Sequence, residues 1–109
     1  MLTKTEIGKL KRSPGGDKSL PMIFGALSDT SRLRILRVLL KNKDVCVSDM
    51  ANILGVSVPA ASHQLSVLET AGLVERLRKG KMTCFKIPVE DKTVKSIIDI
   101  LNKVDGRKK

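Results

Sequence analysis

Apolar residues recur at two different periods along this chain, and the change of period divides it into elements. Leu20, Ile23, Phe24 and Leu27 follow the i, i+3, i+4, i+7 spacing of one helical face. Ser19 stands before them as a natural N-cap, with Pro21 in the first turn. In SDTSRLRILRVLLKNKD, Asp29 is placed to cap a second helix in which Leu33, Leu36 and Leu40 share a face that Ile35 and Leu39 widen. VCV, residues 45–47, is short and β-branched and predicts a strand stub. Ser48 or Asp49 then caps a third helix carrying Met50, Ile53 and Leu54, which Gly55 ends with a left-handed residue. Ser57 caps a fourth, with Pro59 where a missing N–H costs nothing and Ala61, Leu65 and Leu68 as the buried stripe, and Gly72 closes it.

From Leu73 the period falls to two. LVERLRKGKMTCFKI alternates on both sides of RKGK, the pattern of a hairpin with Gly80 at its tip, and Pro88 closes its second strand. A last helix over 91–104 aligns Val94, Ile97, Ile98, Leu101 and Val104. The order α-α-β-α-α-β-β-α defines a mainly α (α+β) fold, a winged helix-turn-helix, over residues 19–105. Residues 1–18 are a basic tail or frayed helix broken by SPGGD, and residues 106–109 a second basic tail. So small a domain leaves its first and last helices apolar surface to cover, which a homodimer through those helices would bury.

Charge narrows the partner. Twenty-one Lys and Arg against eleven Asp and Glu give a formal +10, an excess that favours polyanions by steering and counterion release. The densest share lies in Glu75–Pro88, the hairpin. Trp and Tyr are absent and Phe24 and Phe85 are the only aromatics, so the stacking platforms of single-strand and RNA binders are missing and duplex DNA fits better. No apolar run approaches bilayer length, so no membrane is expected. Two cysteines make no disulfide framework and no leader pattern opens the chain, which points to the cytoplasm. No nucleophile has a base at usable spacing and no glycine loop suits phosphate, so neither an enzyme nor a cofactor is expected.

In a helix-turn-helix the second helix carries its exposed N-terminal half into the major groove. Here that half offers Ser57, Ala60, Ser62, His63 and Gln64, small residues for close approach and polar ones for bases or phosphates. Arg78, Lys79 and Lys81 surround Gly80 as a basic tip for phosphates or the neighbouring minor groove.

Three separated motifs, in order, resemble those of the arsenic-repressor/metallothionein-repressor (ArsR/SmtB) family: ALSDTSRLRIL, then DVCVSDMANILGVSVPAASHQLSVLETAGLV, then RKGKMTCFKI. The resemblance covers about residues 20–104. It implies a homodimeric winged-helix transcriptional repressor that binds operator DNA and releases it on a chemical signal, with Ser62 and His63 facing DNA and Gln64 joining them. Val58 and Pro59 stand where relatives are often polar, which leaves room for an alternative: an architectural, sequence-tolerant DNA-binding protein.

The resemblance also implies two metal sites, and the residues for both are incomplete. The thiolate site needs C-x-C at the third helix, but Ser48 follows Cys46 at the second position. The site on the last helices needs histidine, and Glu90, Asp91 and Asp99 come without one. No metal is therefore expected there. In a winged helix the strand stub pairs with the returning hairpin strand. If Val45, Val47, Phe85 and Ile87 point inward, Cys46 and Cys84 point outward as cross-strand neighbours. They form a candidate two-thiol switch, oxidised to a disulfide or bridged by a soft metal or arsenite.

Overall fold

The computed structural model describes residues 1–16 and 19–107. In chain order its elements are α1 (Lys4–Arg12), α2 (Ser19–Leu27), α3 (Thr30–Leu40), β1 (Val45–Cys46), α4 (Val47–Leu54), α5 (Val58–Thr70), β2 (Glu75–Lys79), β3 (Met82–Lys86) and α6 (Lys92–Arg107). The three strands form one antiparallel sheet in the order β1-β3-β2. This is a winged helix-turn-helix with one helix added at its front. The parts of the expected tails at 17–18 and 108–109 lie outside the described residues.

Local chemistry sets most boundaries. The Asp29 carboxylate accepts the Arg32 N–H at 3.1 Å and starts α3. At the end of α4, Gly55 is left-handed (φ 69°), and the Val56 N–H reaches back to the Ala51 carbonyl at 3.0 Å. Gly72 (φ 76°) repeats the device after α5, with the Leu73 N–H on the Leu68 carbonyl at 3.0 Å. Both are Schellman-type ends, and a Cβ at either glycine would strain the backbone. Asp91 starts α6 by accepting the Thr93 and Val94 N–H groups at 2.9 and 3.0 Å.

Four boundaries differ from those the pattern suggested. Residues 4–12 form a capped helix: Thr3 and Glu6 exchange hydrogen bonds at 3.1 and 2.9 Å in a capping box, although α1 buries no residue. Ser19 is the first residue of α2 and not its N-cap. The stub is two residues long, because Val47 already belongs to α4, whose N-cap is Cys46 and not Ser48 or Asp49. Cys46 offers no side-chain cap bond; Asp49 instead places its charge in the first turn, at the positive end of the helix dipole. α6 continues past Val104 to Arg107, where Arg37 of α3 holds Asp105 with two hydrogen bonds of 3.0 and 3.1 Å.

The core joins Ile23 of α2 and Ile35, Leu36 and Leu39 of α3 to Met50 of α4 and Leu65 and Leu68 of α5. Leu73, Phe85, Ile87 and Val94 close it from the sheet side. Phe85 and Ile87 point inward, as the alternation required. Other apolar residues have no cover in the single chain: Leu20, Met22 and Phe24 on α2, the last 64% exposed, and Ile100 and Val104 on α6.

Candidate nucleic-acid interface

α5 is anchored on one side and open on the other. Ala61, Leu65 and Leu68 are fully buried, and α5 packs against α4, whose Met50 and Ala51 are buried too; a methyl group at Ala61 suits a close approach. The Ser57 hydroxyl accepts the Ala60 N–H at 3.2 Å and fixes the start of the helix. Ser57, Val58, Pro59, Ala60 and His63 are exposed and Ser62 is half-buried beside them. This is the geometry a recognition helix needs, an N-terminal turn pushed out into solvent from a rigid base.

Gln64 is placed differently from its neighbours. Its Oε1 accepts Nη1–H of Arg32 at 2.8 Å, while Nε of Arg32 donates to the Ala26 carbonyl at 2.7 Å. One guanidinium thus ties α2, α3 and α5 together, and Gln64 is held in place with its amide NH₂ and one oxygen lone pair left for an outside partner. Nothing local in the sequence marks Arg32, since its contact with Gln64 spans 32 residues.

The hairpin turns at Gly80 (φ 61°) and Lys81, with Lys79 opposite Met82. Arg78 and Lys81 are exposed. Lys79 is exposed too, but its Nζ lies 2.8 Å from Oδ1 of Asp44, whose side chain is only 12% exposed. Arg76 is a further functional candidate that alternation did not reveal. Its guanidinium lies 5.1 Å from the centroid of the Phe85 ring and makes two 3.1 Å hydrogen bonds to Glu69 of α5. Hydrogen bonding to Glu69 and its charge raise the Arg76 pKa, and the paired hydrogen bonds link the wing to α5.

Cys46 lies directly across the sheet from Cys84, and a disulfide joins them. One expectation fails: Cys84 is completely buried, so the face opposite Phe85 is not open at this point. Asp44 closes part of it, its carboxylate lying within 4.8 Å of both sulfurs, and Lys79 reaches Asp44 from the far strand. These three residues are a metal-capable set, yet each sulfur is bonded to the other and Asp44 is paired with Lys79. The family's own metal sites do not fit the donors present: Ser48 replaces the second thiolate, and Oδ1 of Asp91 is engaged with the backbone of α6.

The described residues hold no helix long and apolar enough to cross a membrane. The model for bacterial regulatory proteins of the arsR family matches residues 29–76, the stretch from the α3 cap to the first wing strand. A cadmium resistance transcriptional regulatory protein of Listeria innocua is 34% identical over 84 residues, covering 77% of this chain and 71% of that protein. This chain belongs to the arsR family. A homologue of that regulator in Staphylococcus aureus is 35% identical over 77 residues, and the chain spans 62% of its length. The solved structure of HlyU from Vibrio cholerae superposes with a TM-score of 0.72 at 24% identity, over 84% of this chain and 97% of that one, a likeness of fold. The arsR family is one of DNA-binding regulators and not of enzymes. Membership accounts for the matched stretch being the helix-turn-helix itself, the part that must keep its packing to present α5.

Proposed function

We propose that this chain is a homodimeric, sequence-specific repressor that binds operator DNA in the cytoplasm through α5 and the β2–β3 wing. The observation that carries this reading is the juxtaposition of two unlike surfaces. The exposed turn Ser57–Ala60 with Ser62 and His63 carries no formal charge, whereas the adjoining hairpin presents Arg78 and Lys81. Side chains of the first kind read base edges; cations of the second kind hold phosphates.

Dimerisation is supported by the uncovered apolar residues of α2 and α6, at opposite ends of the chain. Two copies pairing through these helices would bury them and set two α5 helices one helical turn apart, so that the site is an inverted repeat. Duplex DNA is favoured over RNA because Phe85 is buried beneath Arg76, leaving Phe24 as the one exposed aromatic.

The test is selection of bound duplexes from a random pool, followed by measurement of mass in solution. An enriched inverted repeat bound by a dimer is the expected outcome. The exposed apolar Val58 at the head of α5 favours the second reading, an architectural protein; a pool that enriches nothing, with equal affinity for unrelated duplexes, would select it.

A further inference from the structure

The two ends of the Cys46–Cys84 bond differ in surroundings. Cys84, in the middle of β3, is sealed. Cys46 as a residue is half-buried and lines a surface cleft with Val47, Ser48, Val58, Ser62 and Met82, although its sulfur is covered beside Cys84 and Asp44. One wall of that cleft is the head of the recognition helix and the other is the wing, so the cleft opens where a bound duplex would run. Cys46 is also the N-cap residue of the eight-residue α4, where the helix dipole favours a thiolate. The bond links the first helix of the helix-turn-helix to the wing across 38 residues of sequence.

We infer that Cys46 and Cys84 are a reversible redox-modification site for a hydroperoxide, and that the bond weakens DNA binding by holding the wing in the arrangement seen here. The inference rests on the operator-binding reading. It accords with a cytoplasmic protein, where disulfides are mostly transient and sensory. Cys46, the less enclosed of the two residues and the one on the cleft, attacks one peroxide oxygen as its thiolate; the O–O bond breaks and Cys46 becomes a sulfenic acid as the other oxygen leaves as water. The Cys84 thiolate then attacks the Cys46 sulfur, the S–O bond breaks and a second water leaves. Two thiols and one hydrogen peroxide yield one disulfide and two waters, the sulfurs losing the two electrons that the peroxide gains. Two equivalents of a small thiol reverse the step by exchange at Cys46, themselves becoming a disulfide.

The link to DNA is steric and electrostatic. Reduction forces the sulfurs from bonding to van der Waals separation, and Cys84, fully buried in β3, has no solvent-facing side toward which to move. The groups beside the sulfurs must move: Asp44, and with it Lys79, held on Asp44 at 2.8 Å. In the oxidised chain Lys79 is tied back; in the reduced chain it is released to a phosphate. A metal is the less favoured occupant of the same place, because the Lys79 ammonium already neutralises the Asp44 carboxylate.

The experiment uses the full chain with hydrogen peroxide, and alkylation followed by intact mass as one readout. Peroxide should abolish alkylation of both thiols and a small dithiol should restore it. Hydrogen exchange over residues 75–86 should slow on oxidation. The selected duplex should bind the reduced chain about fivefold or more tightly than the oxidised chain, a small allosteric coupling, and by reciprocity bound duplex should slow oxidation of Cys46 by a similar factor. Cys46→Ser, at the partly exposed position, should bind at one affinity whatever the peroxide. Thiols that stay alkylatable after peroxide would overturn the inference, as would one zinc ion per chain that blocks oxidation, or redox states alike in wing exchange and duplex affinity. Cycling thiols with altered wing exchange but no duplex binding would uphold the redox site and defeat the operator reading instead.

Discussion

The recognition helix and the wing lie side by side and are built on opposite principles. α5 buries Ala61, Leu65 and Leu68 completely, is capped at its start and closed by a left-handed glycine at its end, and has no charged residue before Glu69. The hairpin buries Cys84 and Phe85 on β3, while β2 buries nothing fully and carries Arg76, Arg78 and Lys79. A surface that must tell one base pair from another needs fixed geometry; one that need only find phosphates can trade rigidity for charge. The proposed function accordingly gives specificity to α5 and sequence-independent affinity to the wing.

The largest expected effect breaks that assignment at its base. Leu68→Ala should cost about 2–5 kcal/mol in unfolding free energy, since it opens a cavity under the recognition helix, whereas Lys81→Ala on the exposed wing should stay within about 0.5 kcal/mol; chemical denaturation compares them. Next, Ser62→Ala and His63→Ala should each lower the preference for a selected duplex by about 1–3 kcal/mol and leave binding to random duplex nearly unchanged, as read by competition binding. Lys81→Ala should weaken specific and random duplexes alike and reduce the salt slope by about one per protomer.

The smallest effect lies outside both regions. The Thr3 hydrogen bonds lower the Glu6 pKa. A carboxylate depressed on folding contributes above its unfolded pKa, and the contribution is lost as pH falls through the folded value. α1 should therefore fray on acidification through and below the ordinary carboxylate range while the core stays folded, and amide exchange in residues 4–12 measures it.

What was legible in the sequence was local. Asp29 and Ser57 as caps, Gly55 and Gly72 as helix ends and Gly80 at the hairpin tip act within a turn of where they stand, and each behaves as its chemistry dictates. Three features were not legible because they depend on residues far apart. Gln64 was read as a groove contact with nothing nearby to show that Arg32 would claim it. Lys79 was read as a phosphate contact, yet it crosses the sheet to Asp44. Alternation alone assigned Cys84 to an open face, but alternation gives only the side of a sheet and not what lies over it. The boundary at Val47 was missed for a related reason: β-branching favours a strand, and the packing of α4 overrides it. The capped helix over 4–12 is faint in the pattern because α1 buries no residue, so its one strong signal is the T-x-x-E capping box at its start.

The division of labour between helix and wing is tested most directly by measuring affinity for a selected inverted repeat and for random duplex, side by side, across a range of salt concentrations. The account predicts two lines of similarly steep slope, separated by about a thousandfold or more in affinity. Ser62→Ala and His63→Ala should close that gap, and Lys81→Ala should flatten both lines and leave the gap in place. Coincident lines for the unaltered chain, or a gap that closes with Lys81→Ala and survives the α5 substitutions, would contradict it.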